Sequence, residues 1–168
     1  VIDMKLVAPT DPILRKTMSV MENYNIDDLK KTIDEMYEFV ATNGGAGVSA
    51  NQLGIDARIF VVAYGDYKHA FINPQITWTS NEDIMLEEGC LSYPDMFANV
   101  KRPVACNVSY TDYEGNSHTD VRFTGITNRI VLHEYDHMEG KLFYDHLSRL
   151  QKDRFARRVR KKLGVSIV

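Results

Sequence analysis

The sequence predicts one α+β domain in which antiparallel or mixed β-sheets pack around a central helix, with another helix at the C-terminus. Three observations lead to this prediction. Short strand-like runs fill the middle of the chain, a helix near residue 130 is apolar on two opposite sides, and a basic amphipathic segment follows it. A helix with two apolar sides is surrounded by protein. A length of 168 residues suits a single domain, so we treat 1–168 as one unit.

The first element in chain order is an amphipathic helix over about Asp27 to Thr42. Its apolar residues recur at helical spacing, and the Asn-Gly-Gly segment at 43–45 marks its end. The apolar positions are Ile26, Leu29, Ile33, Met36, Tyr37 and Val40.

Strands are predicted next, at residues 58–63, 69–72, 75–79, 84–90, 104–110 and 119–123. The segment Asp-Tyr-Glu-Gly-Asn at 112–116 predicts a hairpin turn between the last two. Cys106 falls inside one of these strands, where we expect it to be a small buried hydrophobic residue.

The central helix is predicted over about Ile126 to Glu139. On a helical wheel, one face carries Ile126, Ile130, His133 and His137, with Glu134 at its edge. The opposite face carries Val131, Tyr135 and Met138. Both histidines therefore point into the protein interior.

The last element is a basic helix over about residues 149–164. Phe155, Val159 and Leu163 give it an apolar stripe for docking. Eight basic residues and one acidic residue between positions 149 and 162 give this segment a net charge of +7, so the remainder of the chain carries −10. Most such runs are solvated surfaces. The single sign and the acidic remainder favour a polyanionic partner here.

Composition narrows the cellular setting. No apolar run approaches the length of a membrane span, and the N-terminus, Val1 to Met4, lacks the pattern of a signal peptide. Two cysteines do not form a disulfide framework. We therefore expect a reducing compartment, either the cytoplasm or, for a processed form, the inside of an organelle.

The segment His-Glu-Tyr-Asp-His at 133–137 has the chemistry of a metallohydrolase. Histidines at i and i+4 project from one helix face, so His133 and His137 can reach the same metal ion. Glu134 then lies beside that ion, where it can act as a general base toward water.

The third ligand distinguishes the possible families. A large group of zinc proteases has a histidine where this chain has Phe143, and no glutamate follows Glu139. Upstream, Cys90 follows a glycine that lets the backbone approach a site closely. Thiolate binds zinc and ferrous iron well, so we take Cys90 as the third ligand. Asp145, His146 and Asp153 remain the alternatives.

Three segments together resemble the peptide deformylase family, in the family's order. They are Gly-Ala-Gly-Val-Ser-Ala-Asn-Gln at 45–52, Glu-Gly-Cys-Leu-Ser at 88–92 and His-Glu-Tyr-Asp-His-Met-Glu-Gly at 133–140. The segments at 11–16 and 140–143 are also similar, so the resemblance covers nearly the whole chain.

The resemblance implies the deformylase fold and a hydrolase that removes the formyl group from the N-terminal formylmethionine of new polypeptides. It implies one divalent metal ion, Fe²⁺, although the ligands also suit Zn²⁺, Ni²⁺ or Co²⁺. On residue chemistry alone, Gln52 is an ordinary loop residue. By resemblance, its amide and the backbone N–H of Leu91 hold the oxygen of the tetrahedral intermediate. Nascent chains as substrates make ribosomal RNA the natural partner of the basic helix.

Substrate residues follow from the same segments. A peptide can add as a strand to an extended backbone edge, with main-chain hydrogen bonds from Ala46, Gly47 and Gly89. The methionine pocket is assigned by wheel position and motif neighbourhood to Ala46, Leu86, Ile126 and Ile130, with the ring of His133. Phe97 and Tyr93 differ from the residues usual in the family, which leaves preference beyond the first substrate residue open.

Two other functions are considered. An endopeptidase of the H-E-x-x-H type lacks a recognisable downstream ligand here. A metal-stabilised binding module without catalysis would need neither Glu134 nor Gln52. We expect an enzyme that works as a monomer and without a membrane.

Overall fold

The computed structural model describes residues 4–167. Val1–Asp3, which belong to the stretch searched for a signal peptide, lie outside the described residues, as does Val168. The helices are α1 (Ile26–Asn43), α2 (Gly125–Met138) and α3 (Arg149–Leu163). The strands are β1 (Gly47–Ser49), β2 (Ile59–Tyr64), β3 (Tyr67–Thr79), β4 (Asp83–Cys90), β5 (Tyr93–Pro103), β6 (Ala105–Thr111) and β7 (Ser117–Thr124). Short 3₁₀ helices cover Pro12–Arg15, Ala50–Leu53 and Phe143–His146.

The strands form two antiparallel groups. A five-stranded sheet has the order β1-β2-β3-β6-β7, and β4 and β5 form a separate hairpin. Helix α2 contacts the large sheet on one side, and its His133 reaches the β4–β5 hairpin on the other. This arrangement confirms the predicted α+β class with a central helix. It also brings the end of β4 close to the rings of the two histidines.

Strand β2 is buried on both faces and lies at the centre of the core. Residues 59–62 have no exposed surface, and they alternate between two clusters because strand side chains alternate. Ile59 and Val61 pack with residues of α1, whereas Phe60 and Val62 pack with residues of α2. The α2 partners are Val131, Leu132, Tyr135 and Met138, which confirms the predicted second apolar face.

Local signals explain the bounds of α1 and α3. The Asn25 side chain accepts hydrogen bonds from the backbone N–H of Asp27 and Asp28, which caps α1, and Gly44 ends it at φ 74°. Ser148 caps α3 by accepting from the backbone N–H of Gln151. The buried Phe155 and Val159 hold α3 against β5 and the 143–147 segment. Across residues 4–167, none of the helices is both long enough and apolar enough to span a membrane.

The strand predictions need correction at two points, and the expected extended edge is confirmed. The runs 69–72 and 75–79 are one strand, β3, whose register shifts between Ile72 and Gln75, so Pro74 marks an irregularity rather than an end. Strand β5 was not predicted, because its short apolar stretches are separated by prolines and charges. Strand β1 was predicted only as an extended edge, and it is the edge strand of the large sheet.

Candidate active site and metal centre

Three potential metal ligands meet where α2 faces the end of β4. His133 and His137 lie one turn apart on α2, and Cys90 is the last residue of β4. Their ligand atoms all lie within 4.8 Å of one another, and Cys90 Sγ is 3.7 Å from His137 Nε2. Among residues 4–167 this is the one group of three or more such side chains with this geometry. The arrangement suits a single divalent ion with one position left open.

The alternative third ligands lie elsewhere. Asp145 accepts a hydrogen bond of 2.6 Å from Arg15, and His146 lies 2.7 Å from Asp136. Asp153 is exposed on α3. These contacts favour Cys90 over all three of them.

The polar atoms around this group also suit a bound ion. His133 Nδ1 lies 2.8 Å from Glu88 Oε1, which leaves His133 Nε2 free to face the centre. In the described part of the chain, Glu134 Oε2 is buried without a hydrogen-bond partner, and Glu134 Oε1 faces the Nε2 atoms of both histidines. Buried polar atoms without protein partners are expected where a metal ion, water or substrate binds.

Glu134 is the carboxylate that faces the Nε2 atoms of both histidines. Its Oε1 lies 3.8 Å from His133 Nε2 and 4.0 Å from His137 Nε2, and the side chain is 2% exposed. Burial raises the pKa of Glu134 to about 7. A Cβ atom at Gly47 would lie 3.1 Å from Glu134 Cγ, so glycine leaves room for this carboxylate beside the substrate edge. A buried carboxylate in this position, beside the ligand group, suits proton transfer with a water molecule in the cavity.

Gln52 points its amide into the same site. Its Nε2 donates to Cys90 Sγ at 3.3 Å and to Ser92 Oγ at 2.9 Å, while its Oε1 accepts from the backbone N–H of Ser49. Because the Ser49 N–H holds Gln52 Oε1, the NH₂ end of the amide is the end that faces Cys90. Leu91 also lines the site and packs against Gly45, where an added Cβ would lie 2.8 Å from Leu91 Cδ1.

A cavity of about 480 Å³ opens onto this centre. It is lined by five of the predicted substrate-binding residues, namely Ala46, Gly47, Gly89, Ile126 and Ile130. Leu86 is not among the described residues that line the cavity and is 40% exposed, so its assignment to the methionine pocket stays a prediction. A strand rises about 3.3 Å per residue, which places Leu86 about 13 Å along β4 from Cys90. Ile126, expected on an interior face, is 58% exposed at the rim.

Comparison with known proteins identifies the family to which this sequence belongs. The family model for polypeptide deformylase matches residues 4–153. The chain belongs to the polypeptide deformylase family. It is 37% identical to the peptide deformylase of Zymomonas mobilis over 161 residues, which cover 90% of each chain.

Solved structures of deformylases share the fold. The peptide deformylase of Synechococcus elongatus, crystallised in complex with actinonin, has a TM-score of 0.87 and 31% identity, covering 98% of this chain and 87% of that one. A probable peptide deformylase of Synechococcus phage S-SSM7 has a TM-score of 0.81 and 33% identity, covering 86% of this chain and all of that one.

This deformylase surrounds Glu88 with positive charge. Glu88 accepts from Arg102 at 2.6 and 3.0 Å, from Arg129 at 2.7 Å, and lies 2.8 Å from His133 Nδ1. Burial alone would raise the pKa of Glu88, but hydrogen bonds from His133 and Arg102 outweigh it and hold the pKa well below its ordinary value. The ionised carboxylate therefore fixes the ring orientation of His133.

The surroundings shift the pKa values of the two histidines in opposite directions. For His133, burial lowers the pKa, but hydrogen bonds to Cys90 and Glu88 outweigh burial and raise it to about 10. For His137, burial and then the charge of His133 lower the pKa to about 3. Neutral imidazole is the form that binds metal, and His137 is already held in that form.

Sequence reasoning missed the residues around the ligands. Arg129 lines the cavity and also donates to the backbone oxygens of Val100 and Ile84, joining α2 to both strands of the hairpin. Its position four residues before His133 on one helix face was an available signal. Ser92, which accepts from Gln52, belongs to the 88–92 segment, but that segment gave it no role of its own.

Proposed function

We propose that this deformylase hydrolyses the formyl amide at the N-terminal formylmethionine of newly synthesised polypeptides. The observation that carries the proposal is the placement of Glu134 beside the group formed by Cys90, His133 and His137, in a cavity that one chain completes. Membership of the deformylase family supplies the substrate class.

The proposed chemistry assigns one task to each side chain. Cys90, His133 and His137 hold a divalent ion, which when bound supplies Lewis acidity to the carbonyl group and to water. Glu134 takes a proton from the attacking water and passes it to the nitrogen of the leaving methionyl amine. Both transfers are within reach because the carboxylate faces the ligand group.

The oxygen of the formyl carbonyl needs hydrogen-bond donors as it gains charge. We assign this role to the Gln52 amide and the backbone N–H of Leu91. The Gln52 amide donates to Cys90 and Ser92, so it would break one of these hydrogen bonds to donate to the formyl oxygen as that oxygen becomes negatively charged. Loss of one donor of this kind typically costs about 10²–10³-fold in rate.

The substrate peptide is proposed to bind as an added strand. Ala46 and Gly47 lie at the edge of the large sheet, and Gly89 lies across the cavity on β4. Main-chain hydrogen bonds to these residues would direct the first side chain toward Ile126 and Ile130 on α2. An apolar pocket there suits methionine.

Formate release tests the function directly. The protein loaded with nickel or iron should release formate from formyl-Met-Ala-Ser and leave acetyl-Met-Ala-Ser uncut. Cleavage of internal peptide bonds, or no reaction with any formyl-Met peptide, would contradict the proposal.

We propose Fe²⁺ as the native metal. One thiolate and two imidazoles bind Fe²⁺, Zn²⁺, Co²⁺ and Ni²⁺, so the ligands alone do not select among them. Metal analysis after anaerobic purification should find iron. Peroxide should inactivate the iron form much faster than the nickel form, since ferrous iron and its thiolate are both oxidisable. Equal inactivation rates would argue for a different native metal.

A spectroscopic test addresses the third ligand. The cobalt form should show a sulfur-to-metal charge-transfer band, and Cys90→Ser should lose it. The buried Cys106 provides the matched control, because Cys106→Ser should keep the band. An unchanged band in Cys90→Ser would refute the assignment.

The ribosome is the proposed partner of α3. Phe155 and Val159 dock the helix, while Arg157, Arg158, Lys161 and Lys162 are exposed. Ribosomal RNA near the peptide exit would bring the enzyme to its nascent substrates, with a strong dependence on salt.

Cosedimentation tests this partner with a matched pair of variants. Arg157→Glu with Lys161→Glu should abolish ribosome binding, while cleavage of a short formyl peptide stays unchanged. Reversal of Lys31 and Lys101, which are exposed elsewhere, should leave binding intact. Equal sedimentation of all three proteins would make α3 a solvated helix only.

We further propose that the chain acts as a monomeric single domain in the cytoplasm. Every residue assigned to the site comes from one chain, and free Cys90 and Cys106 suit a reducing compartment. Light scattering should give the mass of one chain, and denaturation should show one transition. Recovery of the protein with an oxidising or organellar fraction would contradict the location.

A further inference from the structure

The rim of the active-site cavity carries a large apolar side chain that the proposed chemistry does not use. Phe97 on β5 lines the cavity and is 50% exposed. An aromatic ring left half in water beside a substrate channel is available for contact with a ligand.

Phe97 reaches the cavity because its partner across the hairpin is a glycine. Gly89 on β4 pairs with Phe97, and paired residues of antiparallel strands place their side chains on the same face. A Cβ atom at Gly89 would lie 2.7 Å from Phe97 Cε1 and 2.8 Å from Cδ1. The ring therefore lies over the Gly89 backbone and extends toward the free edge of β4.

Strand alternation indicates which substrate residue meets this ring. Glu88 points to the inner face of the hairpin, toward α2, and Gly89 and Phe97 belong to the outer face. A substrate strand whose first side chain points inward to Ile126 and Ile130 turns its second side chain outward. Strands lie about 4.8 Å apart, so β5 is about 10 Å from the substrate, and the ring over Gly89 spans part of that gap.

We infer that Phe97 determines specificity at the second substrate residue, where it favours large apolar side chains. The inference rests on the proposed deformylase function and extends it beyond the formylmethionine. Asp95, which also lines the cavity, adds a negative charge at the same rim and opposes an acidic second residue.

The expected preference is moderate. One methylene group in an enclosed apolar pocket changes kcat/KM by about 10-fold or more, and a half-open surface covers less of the side chain. We expect formyl-Met-Leu-Ser to exceed formyl-Met-Gly-Ser by about fivefold in kcat/KM.

The experiment measures this ratio in the natural chain and in variants. Phe97→Ala should reduce the Leu-to-Gly ratio to about onefold to twofold, and Phe97→Leu should restore most of it. Met85→Ala is the matched control, because Met85 is 55% exposed on the same strand face but is not among the described residues that line the cavity. That variant should keep the natural ratio.

The outcomes separate this inference from the function on which it rests. Cleavage of all formyl-Met peptides with the same Leu-to-Gly ratio in the natural chain and in Phe97→Ala would overturn the inference alone. An equal fall in Met85→Ala would overturn it too. Absence of cleavage with any formyl-Met peptide would overturn the proposed function, and the inference with it. A thermal melt of each variant confirms that it is folded.

Discussion

Replacing Glu88 by glutamine should both destabilise the fold and weaken metal binding. The carboxylate is 6% exposed and contacts Arg102, Arg129 and His133. Glutamine has nearly the same volume, but its amide carries no charge and turns an N–H₂ group toward at least one of these donors. Two guanidinium groups then remain in the interior without a full counter-charge.

The magnitude follows from these contacts. Removal of one partner from a buried ion pair costs about 3–5 kcal/mol, and glutamine can still accept one or two of the four hydrogen bonds, so we expect about 3 kcal/mol. For a domain of this size, that loss lowers the Tm by about 6–12 °C. The loss of the acceptor for His133 Nδ1 should weaken metal binding by about 10–100-fold.

Thermal melting of the metal-free protein and competitive cobalt titration measure the two effects separately. Glu87→Gln is the matched control, because Glu87 is the exposed neighbour and should change stability by less than about 0.5 kcal/mol. A Tm within 2 °C of the natural protein (roughly 0.5–1 kcal/mol), together with unchanged cobalt affinity, would refute the role given to Glu88.

Two further predictions concern stability. Gly140→Ala should lower the free energy of unfolding, measured in urea, by about 3 kcal/mol or more, because φ is +69° and the new Cβ would lie 2.5 Å from the Arg15 carbonyl oxygen. Gly44→Ala is the control: φ is +74° but the space is open, so the loss should be only about 1 kcal/mol. Equal losses in the two variants would contradict the clash at Gly140. Phe155→Ala should lower the free energy of unfolding by about 3–5 kcal/mol and make α3 accessible to trypsin, because the ring is fully buried against Tyr93 and Tyr144. Unchanged trypsin resistance would show that other contacts hold α3.

The sequence predicted those parts of the fold whose signals are local. The bounds of α1, α2 and α3 follow from helical periodicity and from capping residues such as Asn25 and Ser148. Strand β5 was not predicted, because its stability comes from pairing with β4 and from packing against α3, and neither contact is visible in its own residues.

In the candidate site, too, residues with a recognisable sequence signal were predicted, and residues that depend on tertiary contacts were missed. His133 and His137 were predicted from their spacing, and Cys90 from its chemistry and the lack of a recognisable downstream ligand; the structure brings their ligand atoms within 4.8 Å of one another. Arg129 was missed because its contacts with Glu88 and two backbone oxygens depend on tertiary structure. The assignment of Leu86 stays a prediction, because motif neighbourhood says nothing about distance along a strand.

The central claim is that Glu134 moves the proton for a metal centre that it does not itself bind. The most direct test measures formate release from formyl-Met-Ala-Ser and metal per chain in Glu134→Ala. The account predicts a fall in kcat of about 10²–10⁴-fold with metal content unchanged. Metal loss that matches the loss of activity, or activity that persists without the carboxylate, would contradict it.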